Sequence, residues 1–428
     1  MQVEVTESCN HKCFYCYNGW QQKPGLHMPI ESAKRLVNII CEEIKPFHVT
    51  ITGGEPLLNL DSVIAMAEGF KKRGLFYNLN TNLTLLSNEK LEKIKESSTN
   101  GRFGILTSLP HYDKKKFEEI TGAQNINDFY TNLENVIKQG FTLTVNMVVH
   151  KLNHKDIYNE GKFLFENYGV KNFAATPVVV PAFAKGSKYG DYGLTPSEIA
   201  DALEDLLRLN EDYGICVDSL ETIPMCLMPE RIRNNNLEIF RRACSAGRGT
   251  ISIDYNGNVR PCSHAPIKAG NVFLEPFAGI WEKLKPFRDN KYVPQKCKDC
   301  EEFYNCHGGC RFFNYNGGDL SEPDPRMTGV IKNFGGKHRK LPEIDKKKCY
   351  HINDNILFRK ERDDLYTFFN GRFSNVMFVN EDFKNVILTL IKIKKFSYSE
   401  LTSMVNSEDF ASSLELVMRI MLDKRFLI

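Results

Sequence analysis

The sequence contains 428 residues, of which 42% are hydrophobic and 25% are charged, with 56 Lys or Arg residues against 53 Asp or Glu residues. This composition supports a large apolar core in about two or three domains and excludes a wholly disordered chain. The net charge of +3 excludes the strong basic excess typical of nucleic-acid-binding proteins. No apolar run approaches the roughly 18 residues that cross a bilayer, and the first residues do not resemble a signal peptide. We therefore expect a cytoplasmic protein with neither a membrane nor a nucleic-acid partner.

Short runs rich in Val, Ile, Phe and Thr alternate with amphipathic segments over residues 1–215. This alternation is typical of βα units, so it predicts an α/β fold with six parallel strands. Such strands form an open sheet or a partial barrel, and in both folds the chemistry lies at the carboxyl ends of the strands. The predicted strands are 2–6, 48–52, 75–80, 103–108, 142–149 and 172–176, and the predicted helices are 29–43, 60–73, 88–95, 125–139, 155–168 and 196–213.

The pattern changes beyond residue 215. Residues 216–350 contain short strands and clusters of Gly and Pro, so metal is expected to contribute to the stability of this loop-rich domain. Residues 351–428 contain no cysteine and predict a small winged-helix-like α+β domain. Its predicted strands are 356–361, 365–369 and 376–379, and its predicted helices are 381–393, 397–406 and 410–422.

The first cysteine motif is C-x3-C-x2-C, formed by Cys9, Cys13 and Cys16 directly after the first predicted strand. Thirteen cysteines in a cytosolic chain favour metal binding over disulfides. Three thiolates on one tight loop can hold three irons of a four-iron cluster and leave the fourth iron open. A closed zinc site is the alternative, for which His11 would have to be the fourth ligand.

A second motif, Thr-Gly-Gly-Glu-Pro at residues 52–56, ends the second predicted strand. Glycines let the backbone approach a ligand, and a carboxylate can hold an ammonium group. Taken alone, the motif is a common strand-to-helix connection. Together with the cysteine motif one βα unit earlier, it resembles the radical S-adenosylmethionine (SAM) superfamily, in which the open iron chelates the amino and carboxylate groups of SAM.

The resemblance implies a set of SAM contacts at the ends of three strands. The loop after the second strand would meet the methionyl amine, and the ends of the third and fourth strands would lie near the ribose and carboxylate. Polar caps without a ligand are the alternative for the last two strand ends. Leu83 stands where the family often has Gly, which weakens the third-strand assignment. The implied contacts are Gly53, Gly54, Glu55, Asn80, Thr81, Asn82 and Ser108.

Seven later cysteines follow the pattern C-x12-G-x4-C, then C-x2-C-x5-C-x3-C, then a final cysteine. Residues 251–262 predict a hairpin with Asn256 and Gly257 at its turn. Two zinc ribbons are the alternative reading of these thiols. The whole pattern resembles the SPASM extension of radical SAM peptide-modifying enzymes, which carries two auxiliary 4Fe-4S clusters. The seven cysteines are Cys244, Cys262, Cys297, Cys300, Cys306, Cys310 and Cys349.

The resemblance divides these cysteines between an outer auxiliary site, with four ligands, and an inner auxiliary site, with three. The inner site is one ligand short, and either Cys226 or a substrate thiolate would complete it. Cys41 is expected to pack in a helix and Cys216 to be a buried strand residue. The outer ligands would be Cys297, Cys300, Cys306 and Cys349, and the inner ligands Cys244, Cys262 and Cys310.

The cofactors implied by the resemblance are three 4Fe-4S clusters and SAM, with a low-potential electron donor such as flavodoxin or ferredoxin. The implied activity is that of a peptide maturase. A 5′-deoxyadenosyl radical would abstract hydrogen from a ribosomally made precursor peptide, and a thioether or carbon–carbon cross-link would form. The sequence assigns no catalytic residue beyond the cofactor contacts.

The C-terminal domain looks like the leader-binding winged domain of ribosomal peptide modification, in which an exposed hairpin edge pairs with an extended peptide. A nucleic-acid-binding winged helix and a plain packing domain are the alternatives for this domain. Anaerobic sulfatase-maturing enzymes have an Asp base directly after the cysteine that is Cys262 here, whereas this chain has Ser263, which argues against that activity. An iron–sulfur carrier or scaffold is a further alternative, but it would not need the amino-acid-binding loop at Gly53.

Overall fold

The computed structural model divides into two compact units, Met1–Gly336 and Lys337–Ile428, each with its own hydrophobic core. No helix in the part of the chain that the structure describes is both long and apolar enough to cross a membrane. The structure describes all residues except 18–24, 180–189, 235–236, 238–241, 314–317, 332–341, 354–355, 362–364, 371–374, 404–407, 425 and 428.

The first unit is built on a ten-stranded sheet. Its strands are β1 (Gln2–Glu4), β2 (Val49–Thr52), β3 (Tyr77–Asn80), β4 (Gly104–Ser108), β5 (Thr142–Val149), β6 (Asn172–Pro177), β7 (Cys216–Asp218), β8 (Ser252–Ile253), β9 (Asn258–Arg260) and β10 (Gly270–Asn271). Strands β1 to β7 are parallel and adjacent in chain order, so their carboxyl ends share one edge. Strand β8 pairs in parallel with β1, and β9 and β10 continue the sheet antiparallel. The predicted α/β class is confirmed, with β7 as an additional parallel strand.

Helices follow most of the parallel strands, as the βα alternation predicted. Helix α4 was not predicted. Its first turn consists of lysines and is capped by the Asp113 carboxylate, which accepts a hydrogen bond from Lys116 N at 3.0 Å. The helices of this unit are α1 (Ile30–Ile39), α2 (Leu60–Lys71), α3 (Asn88–Glu96), α4 (Lys114–Thr121), α5 (Ile126–Lys138), α6 (Ile157–Tyr168), α7 (Pro196–Tyr213), α8 (Glu230–Arg233), α9 (Phe277–Lys283), α10 (Lys285–Arg288), α11 (Gln295–Lys298) and α12 (Phe303–Cys306).

The core of the first unit lies between the parallel strands and the helices that cross over them. Strand residues such as Val3, Ile51, Leu79 and Val145 are fully buried. Burial on both faces is typical of parallel sheets, because crossover helices cover them. Because the strands themselves are covered, a ligand can reach the sheet only at the polar residues that follow the strand ends.

The second unit contains two small antiparallel sheets. Strand β11 (Cys349–His351) pairs with β15 (Lys395–Ser397), and the other sheet has the order β12 (Ile356–Lys360), β13 (Tyr366–Asn370), β14 (Asn375–Val379). The helices are α13 (Glu381–Ile393), α14 (Tyr398–Ser403) and α15 (Glu408–Asp423). The three predicted strands and three predicted helices are present, but β11 and β15, which lies between α13 and α14, were not predicted. Residues 404–406 of the second predicted helix lie outside the described residues.

Candidate iron–sulfur and SAM sites

The first three cysteines lie on the loop after β1, and neighbouring backbone holds that loop in place. Cys16 N donates to Cys13 O at 3.1 Å, and Lys12 N donates to Thr121 O, at the end of α4, at 2.7 Å. Burial is the main cause that raises the pKa of the Cys9 thiol, to about 12, and it also raises that of Cys13. Because the thiols would stay protonated on their own, the loop suits a cation that stabilises thiolates.

A four-iron cluster fits this loop better than a single ion. Among the residues that the structure describes, no three His, Cys, Asp or Glu side chains form a group that could hold one metal ion. A cubane instead takes each thiolate on a different iron. The negative forms of Cys9 and Cys16 both act on the Cys13 thiol, which places the three side chains together.

The loop after β2 packs directly on the backbone that precedes Cys9. Gly54 N donates to Thr6 O at 2.9 Å, and Glu55 N donates to Ser8 O at 2.7 Å. A Cβ atom on Gly54 would lie 2.1 Å from Ser8 O, and one on Gly53, which has a φ of +153°, would lie 2.6 Å from Thr6 O. Both glycines are therefore required for the close approach of the two loops.

Glu55 joins the ends of β2 and β3. Its buried carboxylate accepts hydrogen bonds from Thr81 Oγ1 at 2.7 Å, Asn82 N at 2.7 Å and Leu57 N at 3.1 Å. Burial raises the pKa of Glu55 to about 7, although the three hydrogen bonds oppose the shift. The structure thus brings together three of the predicted SAM contacts from two different strands.

The end of β3 is also tied to the cysteine loop. Asn82 Nδ2 donates to Asn10 Oδ1 at 2.7 Å, and Asn10 Nδ2 donates to Thr84 Oγ1 at 3.0 Å. Leu83 adopts a left-handed conformation, with a φ of +68°, which explains why glycine suits this position in the family. Within the described residues, Asn80 Oδ1 is buried without a hydrogen-bond partner. An unsatisfied buried acceptor at this edge fits a site that a polar ligand completes.

Ser108, at the end of β4, lies beside the aromatic side chain that precedes Cys16. Its Oγ is 3.5 Å from Tyr15 Oη, and Tyr15 is stacked on His150 with 5.7 Å between ring centroids. The predicted contact at β4 therefore sits next to the first cysteine loop. Burial lowers the pKa of His150 to about 3, so this imidazole is neutral at physiological pH.

The inner auxiliary cysteines form a second group around a buried carboxylate. Cys244 and Cys262 pack against the same apolar cluster as Cys310. The charge of Glu221 is among the causes that raise the pKa of all three thiols, after burial itself. Glu221 is 7% exposed, and its Oε2 lies 3.5 Å from His264 Nδ1. Sequence analysis missed this carboxylate, although it follows β7 at the edge where chemistry was expected.

A buried ion pair positions Cys310. Asp324 Oδ2 accepts a hydrogen bond from Cys310 N at 2.9 Å and pairs with Arg326 Nη2 at 2.7 Å. Arg326 also donates to Thr222 O at 2.8 Å and lies 3.7 Å from the centroid of the Phe313 ring. Because both charged side chains are almost completely buried, each depends on the other.

Aromatic and ionic contacts join the inner group to β1. Tyr17, one residue after Cys16, meets His264 edge-on with 4.3 Å between ring centroids. Arg260 forms an ion pair with Glu4 and donates to Ser263 O at 3.1 Å. The first cysteine loop and the inner auxiliary group therefore lie on adjoining parts of one edge of the sheet.

Three of the four predicted outer cysteines, Cys297, Cys300 and Cys306, line a cavity with an empty volume of about 320 Å³, part of which is open to solvent. Cys226 lines the same cavity as Cys297, Cys300 and Cys306. Burial raises the pKa of the Cys297 and Cys306 thiols, and Cys226 is near enough to be a smaller cause of both shifts. Cys226 thus lies beside three of the outer cysteines, whereas the sequence analysis offered either Cys226 or a substrate thiolate as the group that completes the inner site.

The other three cysteines have different surroundings. Cys349 is exposed on β11 in the second unit, where its thiol donates to Phe396 O at 3.5 Å. The prediction that Cys216 is buried was wrong, since the residue is exposed. Successive side chains of a strand point to opposite faces, and in β7 it is Val217 that points to the buried face. Cys41 packs half-buried against the main core, as expected.

Comparison with protein families identifies two domains. The profile of the radical SAM superfamily matches residues 3–164, and the profile of the SPASM iron–sulfur cluster-binding domain matches residues 244–301. The first range contains all of the predicted SAM contacts and the first cysteine motif. The second range contains Cys244, Cys262, Cys297 and Cys300. Four candidate ligands lie outside both ranges: Cys226, Cys306, Cys310 and Cys349.

Curated relatives match most of the chain. The AdoMet-dependent heme synthase of Methanosarcina barkeri is 25% identical over 338 residues, which are 75% of this chain and 94% of that protein. The mycofactocin maturase MftC of Mycolicibacterium smegmatis is 25% identical over 335 residues, which are 76% of this chain and 81% of that protein.

Solved structures share the fold. The structure of native anSMEcpe with bound AdoMet has a TM-score of 0.60 at 20% identity and covers 75% of this chain and 92% of its own. The structure of Streptococcus suis SuiB bound to the precursor peptide SuiA has a TM-score of 0.55 at 18% identity and covers 75% of each chain. The sequence motifs, the site geometry and these matches agree: the chain is a radical SAM enzyme that uses SAM and iron–sulfur clusters, and it belongs to the members of that superfamily that carry a SPASM domain.

Proposed function

We propose that this enzyme is a peptide maturase that forms a thioether or carbon–carbon cross-link in a ribosomally made precursor peptide. The first cysteine loop and the two auxiliary groups would hold one 4Fe-4S cluster each. When loaded, the first site supplies a SAM-derived radical that removes a hydrogen atom from an unactivated carbon. Each cross-link removes two hydrogen atoms from the peptide. One is transferred as an atom, and the other leaves as a proton and an electron that returns to the external carrier, a flavodoxin or ferredoxin.

The residues of this chain position SAM and exclude water. Glu55 would receive the methionyl ammonium group on a carboxylate that Thr81 and Asn82 already hold in place. The unsatisfied oxygen of Asn80 would accept a hydrogen bond from a SAM hydroxyl or amine. Preorganised polar groups of this kind lose little entropy when the ligand binds.

The observation that carries the peptide assignment is the open edge of the sheet in the second unit. In the described part of the chain, β12 pairs only with β13, so its other edge can accept a peptide strand. Its successive residues Leu357 and Phe358 point to opposite faces, yet they are 44% and 49% exposed. An edge strand that exposes apolar side chains on both faces is suited to capture an extended segment.

The comparisons support a peptide substrate. The SuiB structure, which shares the fold over 75% of this chain, was solved with a precursor peptide. An anSMEcpe structure was likewise solved with a peptide, Cp18Cys. These two structures support the proposal that an enzyme with this fold accepts a peptide.

Ser263 favours cross-linking over sulfatase maturation. It follows Cys262, where the sulfatase-maturing enzymes have an aspartate base, and a hydroxyl of ordinary pKa cannot serve as that base. The side chain of Ser263 is instead hydrogen-bonded to Tyr17. Glu221 and Asp324 both lie beside the inner auxiliary group, but Asp324 is paired with Arg326, so we assign Glu221 as the base that would take the substrate proton.

The test uses the anaerobically reconstituted full chain with SAM, a flavodoxin reductant and candidate precursor peptides taken from short reading frames near the gene. We expect 5′-deoxyadenosine and a peptide lighter by two hydrogens for each cross-link. Leu357→Glu should weaken peptide binding about tenfold or more, because an apolar contact worth roughly 1.5 kcal/mol is lost. Leu416→Glu, at a residue that is 50% exposed on α15, is the matched control.

Two results would contradict the proposal. The first is full turnover of the precursor by Leu357→Glu. The second is production of 5′-deoxyadenosine without any mass change in the peptide under conditions in which the peptide binds.

A further inference from the structure

The cavity of the outer auxiliary group offers four thiols from the first unit alone. Its lining includes Cys226, Cys297, Cys300 and Cys306, and all of the lining residues that the structure describes belong to Met1–Gly336. Four thiolates are the full ligand set of a closed 4Fe-4S cluster. We propose that Cys226 is the fourth ligand of the outer auxiliary cluster and that Cys349 is not a ligand of it.

The turn that carries Cys226 is fixed against the other outer cysteines. Met225 N donates to Cys306 Sγ at 3.5 Å, and Thr328 Oγ1 donates to Cys226 O at 2.5 Å. Next to Thr328, Met327 Sδ lies 3.8 Å from Cys297 Sγ. Two segments, 81 and 102 residues later in the sequence, therefore hold the turn of Cys226 at this cavity.

The backbone after Cys306 is shaped to allow this approach. His307, Gly308 and Gly309 are three successive residues with positive φ, at +52°, +78° and +79°. A Cβ atom on Gly309 would lie 2.8 Å from Pro224 Cγ. Glycine at residue 309 thus lets the segment that precedes Cys226 pack on the turn between the outer and inner cysteines.

Cys349 is part of a small antiparallel sheet in the second unit. It belongs to β11, which pairs with β15 through all three of its residues. The neighbouring Tyr350 is 2% exposed in the core of the second unit. Cys349 is thus part of the β11–β15 sheet, and Cys226, which lies outside the cysteine pattern, lines the cavity.

If Cys226 is a ligand of the outer cluster, the inner auxiliary site lacks a fourth thiol from this chain. Without Cys226, the inner group has three thiols, from Cys244, Cys262 and Cys310, together with the buried carboxylate of Glu221. A cluster held by three thiolates leaves one iron available for a substrate thiolate or for a carboxylate. The open coordination place therefore lies at the inner site, which adjoins the first cysteine loop.

The first experiment is differential alkylation of the unmodified, anaerobically reconstituted full chain, followed by peptide mass mapping. Iodoacetamide should modify Cys349 as readily as the exposed Cys216, while Cys226 should remain protected like Cys297 until a chelator removes the iron. Protection of Cys349 together with modification of Cys226 in the loaded protein would overturn the proposal. Because this experiment needs no substitution, it does not depend on the folding of a variant.

The second experiment measures the clusters directly. Cys226→Ala should lose about four iron atoms per chain, or change the electron paramagnetic resonance spectrum of one reduced cluster. Cys349→Ala and the control Cys216→Ala should keep the iron content and the spectrum of the unmodified chain. If Cys349→Ala loses the cluster, or if Cys226→Ala keeps both iron content and spectrum, Cys226 is not the ligand.

Discussion

Glu55 makes SAM binding dependent on pH in a direction that can be calculated. Burial raises the pKa of its carboxyl to about 7, so in the unliganded protein this group is half protonated near neutrality. A raised pKa means that the contribution of Glu55 to stability is complete below its ordinary value of 4.5 and is lost as the pH rises through about 7. The ammonium group of SAM favours the ionised form, so binding should strengthen as the pH rises.

The size of the effect follows from the ionised fraction. With a pKa of about 7, the carboxyl is roughly one-tenth ionised at pH 6 and roughly nine-tenths ionised at pH 8. If SAM binds the ionised form, its affinity should rise about tenfold over this range, which equals about 1.4 kcal/mol. Glu55→Gln should remove this dependence, because an amide does not titrate in this range. It should also weaken binding at pH 8, because the NH2 group of the amide would face Asn82 N or Thr81 Oγ1, which are themselves hydrogen-bond donors.

The assay is anaerobic calorimetric titration of the reconstituted enzyme with SAM at pH 6, 7 and 8. Comparison with Glu55→Gln isolates the contribution of this carboxyl, because all other titrating groups, including the amine of SAM, are common to both proteins. A pH dependence that is equally steep in Glu55→Gln would refute the reasoning. So would an affinity for SAM in the unmodified enzyme that does not change over this range.

Three further substitutions test the framework of the sites. Cys13→Ala should abolish 5′-deoxyadenosine formation and lose about four iron atoms, while the auxiliary clusters remain visible by paramagnetic resonance. Gly54→Ala should weaken SAM binding at least about tenfold, since its Cβ would lie 2.1 Å from a carbonyl oxygen, whereas Gly279→Ala, with no atom nearer than 3.9 Å, should not. Arg326→Leu should cost about 3 to 5 kcal/mol in denaturant unfolding, because it leaves Asp324 buried and unpaired, and the double substitution to leucine should cost less.

Hydrophobic periodicity predicted most of the fold because the parallel strands are buried on both faces. The predicted strand 142–149 coincides with β5, and the predicted helix 196–213 coincides with α7. Helix α4 was missed because its sequence begins with three lysines, and its stability comes from the Asp113 cap and a few buried residues such as Phe117. Cys216 was misjudged because cysteine is usually buried, whereas here the alternation of the strand turns it outward.

The sites were predictable where they depend on local spacing. The C-x3-C-x2-C loop and the Gly53 to Glu55 turn are short motifs, and the structure brings them together as expected. The place of Cys226 was not predictable, because it depends on packing against Cys306, which lies 80 residues later. The position of Glu221 was hidden for a similar reason. Nothing in its neighbouring residues indicates that it lies close enough to three distant thiols to contribute to their raised pKa values.

The pairing of β11 with β15 matters for anyone who wishes to move the second unit of this enzyme onto another catalyst. A junction placed after His351 would leave β11 behind and would leave β15 without its partner strand. It would also remove Tyr350 from the apolar cluster in which it packs with Phe396. A chimera should therefore begin the transplanted segment near Lys337, so that the graft carries its complete fold and none of the thiols that line the outer cavity.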